Sequence, residues 1–191
     1  MKVTEKNILF QIYSSQQTVF RLIDIAMMTG EDDLVSLSKK MNYYVKTGKI
    51  NNPRKGIYAK ENYRKDELGC RLYTPSYLSL DFVLQKEGVI FQYSETLTLV
   101  SYLSRSIKVD DVSYRYRKVR DDILVDSRGI ISEHEVSMAT PERAFLDSLY
   151  LGNDIVPDNP GSLDSEKMFD LLDVYNSDSL EKKLTKLLSY D

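Results

Sequence analysis

The stretch that decides the fold lies at residues 33–47 and reads DLVSLSKKMNYYVKT. Its apolar residues recur mostly three or four positions apart, which predicts a helix with one buried side. That side is expected to contain Leu34, Leu37, Met41, Tyr44 and Val45. The sequence therefore predicts a helix that is anchored along one side and free to make contacts along the other.

The outward side of this helix is polar, basic and aromatic. It carries Ser36, Lys39, Lys40, Tyr43 and Lys46, with Asn42 beside them. Lysine side chains bind phosphate groups as point charges, whereas serine and asparagine can hydrogen-bond to the edges of bases. A solvated helix surface is the alternative interpretation of the same pattern.

Shorter elements flank the stretch on both sides. Apolar spacing predicts helices at residues 6–13 and 21–28, the second closed by Gly30, and the acidic residues 31–33 then offer an N-cap to the next helix. After the stretch, two extended segments at 49–51 and 57–59 enclose a turn at 52–56 that contains Pro and Gly. This arrangement predicts a β-hairpin with Arg54 and Lys55 at its tip.

Three helices followed by a hairpin with a basic tip are the elements of a winged helix-turn-helix. The major groove of B-DNA admits one α-helix, and neutralised phosphates supply much of the affinity. The sequence therefore predicts a domain at residues 1–62 that binds double-stranded DNA. Its candidate contact residues are Ser36, Lys39, Lys40, Asn42, Tyr43, Lys46, Arg54 and Lys55.

The distribution of charge agrees with this prediction, although the whole chain has a formal net charge of −3. Residues 1–65 contain 12 Lys and Arg against 6 Asp and Glu, a balance of +6. Residues 66–191 contain 14 against 23, a balance of −9. A basic front joined to an acidic remainder places any polyanion binding at the front.

A polar, charged segment at residues 61–67 predicts the start of a second, mixed α+β domain at residues 63–191. Helices are expected at 77–86, from Thr140 as N-cap to about residue 150, and in a closing pair at 165–175 and 179–188. The segments expected to be extended are 89–93, 97–103, 112–119, 123–125 and 136–139. The fold class is therefore α+β.

Several motifs together resemble the AbiEi-like antitoxins of type IV toxin–antitoxin (abortive infection) systems. In the first domain they are FRLIDIA at 20–26, MNYYVKTGKI at 41–50 and RKGIYA at 54–59. In the second they are YTPSYLS at 73–79 with Val83-Leu84, GVIFQ at 88–92 and ATPERAFLD at 139–147. The resemblance covers about residues 15–150.

The resemblance implies a transcriptional autoregulator that represses its own operon and acts as the antitoxin of a nucleotidyltransferase-like toxin, without implying a stable complex with that toxin. Family members often have a markedly basic second domain, whereas residues 66–191 are acidic here. The basic cluster in that part is Arg115, Arg117, Lys118 and Arg120, a possible accessory patch or an ordinary exposed strand. Alternation along 112–119 predicts Arg115 and Arg117 on one face of that strand.

Other function classes lack their usual residues. One histidine, His134, and one cysteine, Cys70, offer little for a metal site or a catalytic triad, and no glycine-rich phosphate loop is present. We therefore predict no enzyme activity, no cofactor and no metal, and we expect Arg143 to form a structural pair with Asp147.

The first residues do not resemble a signal peptide, and no apolar run is long enough to span a membrane, which predicts a cytoplasmic protein. The alternative function is a non-enzymatic protein-interaction module that uses a winged-helix scaffold for docking.

Overall fold

Helices and strands are mixed along the chain in the computed structural model, which describes residues 5–153 and 155–189. The fold is α+β, in agreement with the sequence. The chain divides into two compact units, Met1–Leu72 and Tyr73–Asp191. The first unit extends past residue 62, where the sequence predicted the boundary, because an additional helix lies at its end.

The first unit combines four helices and three short strands among its described residues. In chain order they are α1 (Glu5–Ser14), β1 (Val19–Arg21), α2 (Leu22–Thr29), α3 (Leu34–Lys46), β2 (Asn51–Arg54), β3 (Ile57–Ala59) and α4 (Lys65–Leu72). The strands form an antiparallel sheet in the order β1-β3-β2, with Phe20 opposite Tyr58. The three predicted helices and the hairpin are confirmed, whereas β1 and α4 were not predicted.

One apolar cluster holds these helices against the sheet. Its buried members are Ile8, Ile12, Phe20, Ile25, Ala26, Leu37, Met41, Tyr44, Ile50 and Tyr58. The buried side predicted for α3 is thus confirmed at Leu37, Met41 and Tyr44, while Leu34 in its first turn is 42 % exposed. Because three consecutive turns of α3 are anchored in this way, the orientation of its outer side is fixed.

The connection between α2 and α3 is short and capped at both ends. Gly30 ends α2 in the left-handed conformation, with a φ of 66°, which glycine adopts at little cost. Asp33 begins α3, and its side chain accepts hydrogen bonds from the backbone N–H groups of Val35 and Ser36 at 3.0 and 3.1 Å. Both predicted caps are confirmed, and they set the angle at which α3 leaves α2.

A buried carboxylate ties α4 to the start of β1. Glu67 is fully buried, and one of its oxygens, Oε1, accepts hydrogen bonds from the backbone N–H groups of Thr18 and Val19 at 2.9 Å each. The hydroxyl of Thr18 donates to Oε2 at 2.6 Å, and the guanidinium of Arg64 lies 3.3 Å from the same oxygen. The segment at 61–67, where the sequence predicted the domain boundary, is therefore part of the first unit.

Replacing Glu67 by Gln is expected to lower the free energy of unfolding of the full chain by roughly 2–3 kcal/mol, because the amide turns an NH₂ group toward donors that the carboxylate now satisfies. Urea denaturation followed by circular dichroism measures the change. The matched control is Glu61→Gln, at an exposed position six residues earlier, and it should unfold like the parent chain. Equal stability of the two variants would contradict the role assigned to Glu67.

A second ionic contact joins α4 to the first turn of α2. The Asp24 carboxylate accepts hydrogen bonds from the backbone N–H of Arg21 at 2.8 Å and from its guanidinium at 2.7 Å. Arg71 of α4 lies 3.6 Å away. Burial raises the pKa of Asp24, but the hydrogen bonds from Arg21 and the charge of Arg71 outweigh it and hold the pKa below its usual value. Asp24 is therefore ionised at neutral pH and links the start of α2 to α4.

The second unit is a mixed sheet with helices packed on it. Its strands are β4 (Ser76–Leu78), β5 (Leu97–Ser101), β6 (Arg105–Val109), β7 (Val112–Lys118), β8 (Ile130–Glu133) and β9 (Val136–Ala139), and its helices are α5 (Leu80–Lys86), α6 (Asp121–Val125), α7 (Pro141–Tyr150), α8 (Ser165–Leu171) and α9 (Asp178–Leu188). Among the described residues the strand order is β6-β7-β5-β4-β9-β8, in which β5 with β7 and β4 with β9 run parallel.

Three sequence predictions for this unit are wrong, and two strands were missed. Residues 76–78 form β4, so the predicted helix at 77–86 begins only at Leu80. Residues 123–125 are helical, because Asp121 and Asp122 occupy the first turn of α6, where negative charge favours a helix. Residues 89–93 contain no regular element, and the strands β6 and β8 were not predicted. The start of α7 is confirmed, since the hydroxyl of Thr140 accepts from the backbone N–H of Arg143 and Pro141 follows at the first helical position.

A fully buried polar group, the Arg143 cluster, connects α7 to the sheet and to the closing helices. It consists of Tyr77, Ser79, Arg143, Asp147 and Tyr175, all at most 3 % exposed. The Asp147 carboxylate accepts from the hydroxyls of Ser79 and Tyr175 at 2.7 Å each, and it lies 3.5 Å from Nε of Arg143. The predicted pair of Arg143 with Asp147 is thus confirmed.

The two terminal nitrogens of the Arg143 guanidinium donate hydrogen bonds to backbone carbonyls. Nη1 donates to the carbonyl of Arg128 at 2.9 Å, and Nη2 donates to the carbonyl of Ile123 at 2.8 Å. Burial raises the pKa of Asp147, although Arg143 and the neighbouring hydroxyls lower it. These contacts satisfy buried polar groups in the interior of the second unit, so the Arg143 cluster has a structural role.

Candidate nucleic-acid interface

The outer side of α3 presents a row of four residues at helical spacing, which we call the α3 stripe. It consists of Val35, Lys39, Asn42 and Lys46, whose separations of four, three and four positions place them on one line along the helix. All four are exposed, and the side opposite them carries the buried Leu37, Met41 and Tyr44. The α3 stripe is therefore directed at solvent over three turns.

An aromatic and a cationic side chain flank this stripe near its end. Tyr43 is 52 % exposed, and the Nζ atom of Lys49 lies 5.6 Å from the centroid of its ring. The hydroxyl of Tyr13 on α1 donates to the carbonyl of Lys49 at 2.6 Å, which fixes the backbone at that point. Sequence reasoning missed Lys49, which lies in the turn that follows α3, three residues after Lys46.

Lys40 differs from its neighbours because it is engaged by an acidic residue. Its Nζ atom lies 2.9 Å from a carboxylate oxygen of Glu31, and its side chain is 38 % exposed. Glu31 stands nine residues earlier in the chain, in the turn before α3. Of the lysines predicted on this helix, Lys39 and Lys46 thus offer positive charge to solvent, while that of Lys40 is largely compensated. Ser36 is half-buried beside them.

The hairpin of β2 and β3 adds a second basic feature to the first unit. Lys55 is exposed at its tip, and Arg54 before it is half-buried. The side-chain amide of Asn52 braces the turn by donating to the carbonyls of Arg54 at 2.8 Å and Ile57 at 2.6 Å. The backbone N–H of Leu22, at the start of α2, donates to the carbonyl of Gly56 at 3.1 Å. The hairpin tip is therefore held against the helical part of the unit.

Charge is unevenly distributed along α3. The turn before it contains Glu31, Asp32 and Asp33, whereas its second half and the following turn contain Lys46 and Lys49. The side chain of Asp33 already occupies two N–H groups of the first turn. A polyanion would thus be repelled at the beginning of α3 and attracted at its end and at the hairpin tip.

The four residues of the possible accessory patch in the second unit lie in β7 and in the segment directly after it. Arg115 and Arg117 lie on one face of β7, while Tyr114 and Tyr116 are buried on the other, as the alternation predicts. Lys118 follows on the tyrosine face. Arg120 lies beyond the strand, where its guanidinium donates to Asp122 at 2.9 Å and to the carbonyl of Tyr175 at 2.8 Å. Arg115 and Arg117 therefore share one face of β7, whereas Lys118 lies on the other face and Arg120 is paired with Asp122.

No protein-family model matches the chain, and no curated protein matches it. The resemblance to AbiEi-like antitoxins is therefore supported by the sequence motifs alone. Across residues 5–153 and 155–189, no helix combines the length and apolar character needed to cross a bilayer. Within the same residues, no three His, Cys, Asp or Glu side chains are grouped closely enough to hold a metal ion.

Proposed function

We propose that the chain is a DNA-binding regulator whose first unit is a winged helix-turn-helix that carries α3 into the major groove. The order helix, strand, helix, four-residue turn, helix, hairpin supports this assignment. The observation that carries it is the α3 stripe, with two exposed lysines on a helix anchored along its opposite side. The basic hairpin tip serves as the wing and contacts an adjacent phosphate run.

The biological role follows from the sequence resemblance. We propose that the protein acts in the cytoplasm, represses its own operon and serves as the antitoxin of a nucleotidyltransferase-like toxin. A reading frame for such a toxin beside this gene would support the role, and relief of that toxin's growth inhibition by co-expression of this chain tests it. Failure of the relief would leave a regulator without an antitoxin function.

The DNA-binding part is tested by titrating the full chain with the duplex upstream of its own gene at several salt concentrations. About three to five phosphate contacts predict a slope of roughly −3 to −5 in a plot of log K against log salt. Salt-independent binding, or none, would contradict the proposal.

A protein-interaction module is the second candidate, and one observation favours it. Phe10 of α1 and Met27 of α2 are 70 % and 78 % exposed, as apolar side chains at protein interfaces often are in the free state. Such a module has no reason to bind duplex DNA with a steep salt dependence. The salt titration therefore separates the two functions.

A further inference from the structure

Val35 is an apolar residue whose side chain is exposed to solvent, although burial would be more favourable for it. It is 66 % exposed and lies in the first turn of α3, at the beginning of the α3 stripe and four positions before Lys39. Neither the apolar cluster of the first unit nor the residues packed on its border include it. Its side chain is therefore directed the same way as the lysines that the proposed function assigns to DNA.

The surroundings of Val35 are unsuited to phosphate. The backbone N–H of Val35 donates a hydrogen bond to the Asp33 carboxylate at 3.0 Å. Asp32, which directly precedes Asp33, is exposed. Negative charge and a capped N-terminus both disfavour contact with the DNA backbone. The first turn of a recognition helix is nevertheless the part that most often reaches the base edges. On the proposed function, in which α3 is the recognition helix, Val35 lies in the part of α3 that faces bases.

We propose that Val35 reads thymine by packing against its C5-methyl group in the major groove. That methyl is the one apolar group that the standard base pairs present there, and an exposed valine offers apolar surface without a hydrogen-bonding group. This inference rests on the proposed function, and it adds a specificity-determining residue to the lysines, which contact every sequence alike.

The test compares thymine with deoxyuracil, which lacks only the methyl group. The probe is a duplex enriched by the full chain from a randomised library, prepared once with thymine and once with deoxyuracil throughout. Burial of one methyl group predicts that the parent chain binds the thymine duplex about fourfold more tightly for each methyl contacted. Val35→Ala, whose smaller side chain covers less of the thymine methyl, should show a smaller preference for the thymine duplex, and it should keep the salt dependence of the parent. Val125→Ala, at a position in α6 that is 73 % exposed, is the matched control and should retain the preference.

Each outcome has a distinct meaning. A smaller thymine preference in Val35→Ala, with the parent preference kept in Val125→Ala, supports the inference. An unchanged thymine preference in Val35→Ala, or no thymine preference in the parent chain, overturns the inference about Val35. Salt-dependent binding of the parent chain in either case still supports the DNA-binding function. Failure of the full chain to enrich any duplex overturns both. Comparing the thymine-to-deoxyuracil ratio of Val35→Ala with that of the parent chain cancels any effect of deoxyuracil on the shape of the duplex itself.

Discussion

Replacing Lys39, Lys46 and Lys55 together by Ala is expected to weaken binding of the full chain to every duplex by about a hundredfold at physiological salt. Each lysine that neutralises a phosphate contributes roughly 0.9 to the slope of log K against log salt, which corresponds to about fivefold in affinity. The slope should therefore become less steep by roughly 2.7. Fluorescence anisotropy with a labelled duplex measures both quantities.

The matched control removes the same amount of charge elsewhere. Lys167, Lys182 and Lys183 are exposed lysines of the second unit, and their joint replacement by Ala should leave the slope unchanged. Lys40→Ala is a further comparison. Because Glu31 already compensates Lys40, this variant should lose less affinity than Lys39→Ala. Equal losses in the two triple variants would show that net charge, not the α3 stripe, governs the interaction.

Replacing Arg143 by Met is expected to destabilise the second unit by about 3–5 kcal/mol. The variant leaves the Asp147 carboxylate buried without its cation, and an uncompensated buried charge is far more costly than the absence of the pair. It also removes the donors to the carbonyls of Arg128 and Ile123. Urea denaturation measures the loss, and hydrogen exchange should locate it in the second unit.

Two further variants isolate the cause. Adding Asp147→Asn to Arg143→Met removes the stranded charge, so the double variant should lose less stability than the two single changes added together. Arg128→Met disrupts an ion pair with Asp126 in which the arginine side chain is 51 % exposed, and it should change stability little. Strict additivity in the double variant would contradict the ionic coupling assigned to the Arg143 cluster.

Local rules were sufficient where neighbouring residues decide the structure. The glycine that ends α2, the Asp33 cap of α3 and the Thr140-Pro141 start of α7 each depend on contacts within a few positions, and each was predicted from sequence. The strand β1 escaped prediction because it has three residues whose partners in β3 lie far along the chain. Likewise α4 has a charged composition, and only the buried contacts of Glu67 with Thr18 and Val19 show why it is ordered.

The same distinction applies to the candidate interface. Helical periodicity was enough to place Lys39, Asn42 and Lys46 on the outer side of α3. It could not show that Glu31 compensates Lys40, since that contact depends on how the turn folds back along the helix. The same periodicity places Val35 on the outer side of α3, but the sequence analysis did not single it out, because an apolar residue is ordinarily expected to be buried.

The most direct test of the account is to locate α3 on DNA. The chain contains one cysteine, Cys70, which is only 6 % exposed, so a thiol introduced by Asn42→Cys on the α3 stripe can be labelled selectively with an iron chelate that cleaves DNA. We expect cleavage confined to a few neighbouring base pairs in a major groove of the bound duplex, and none from the parent chain treated in the same way. Binding of the labelled chain to the duplex without such cleavage would contradict the placement of α3 in the groove.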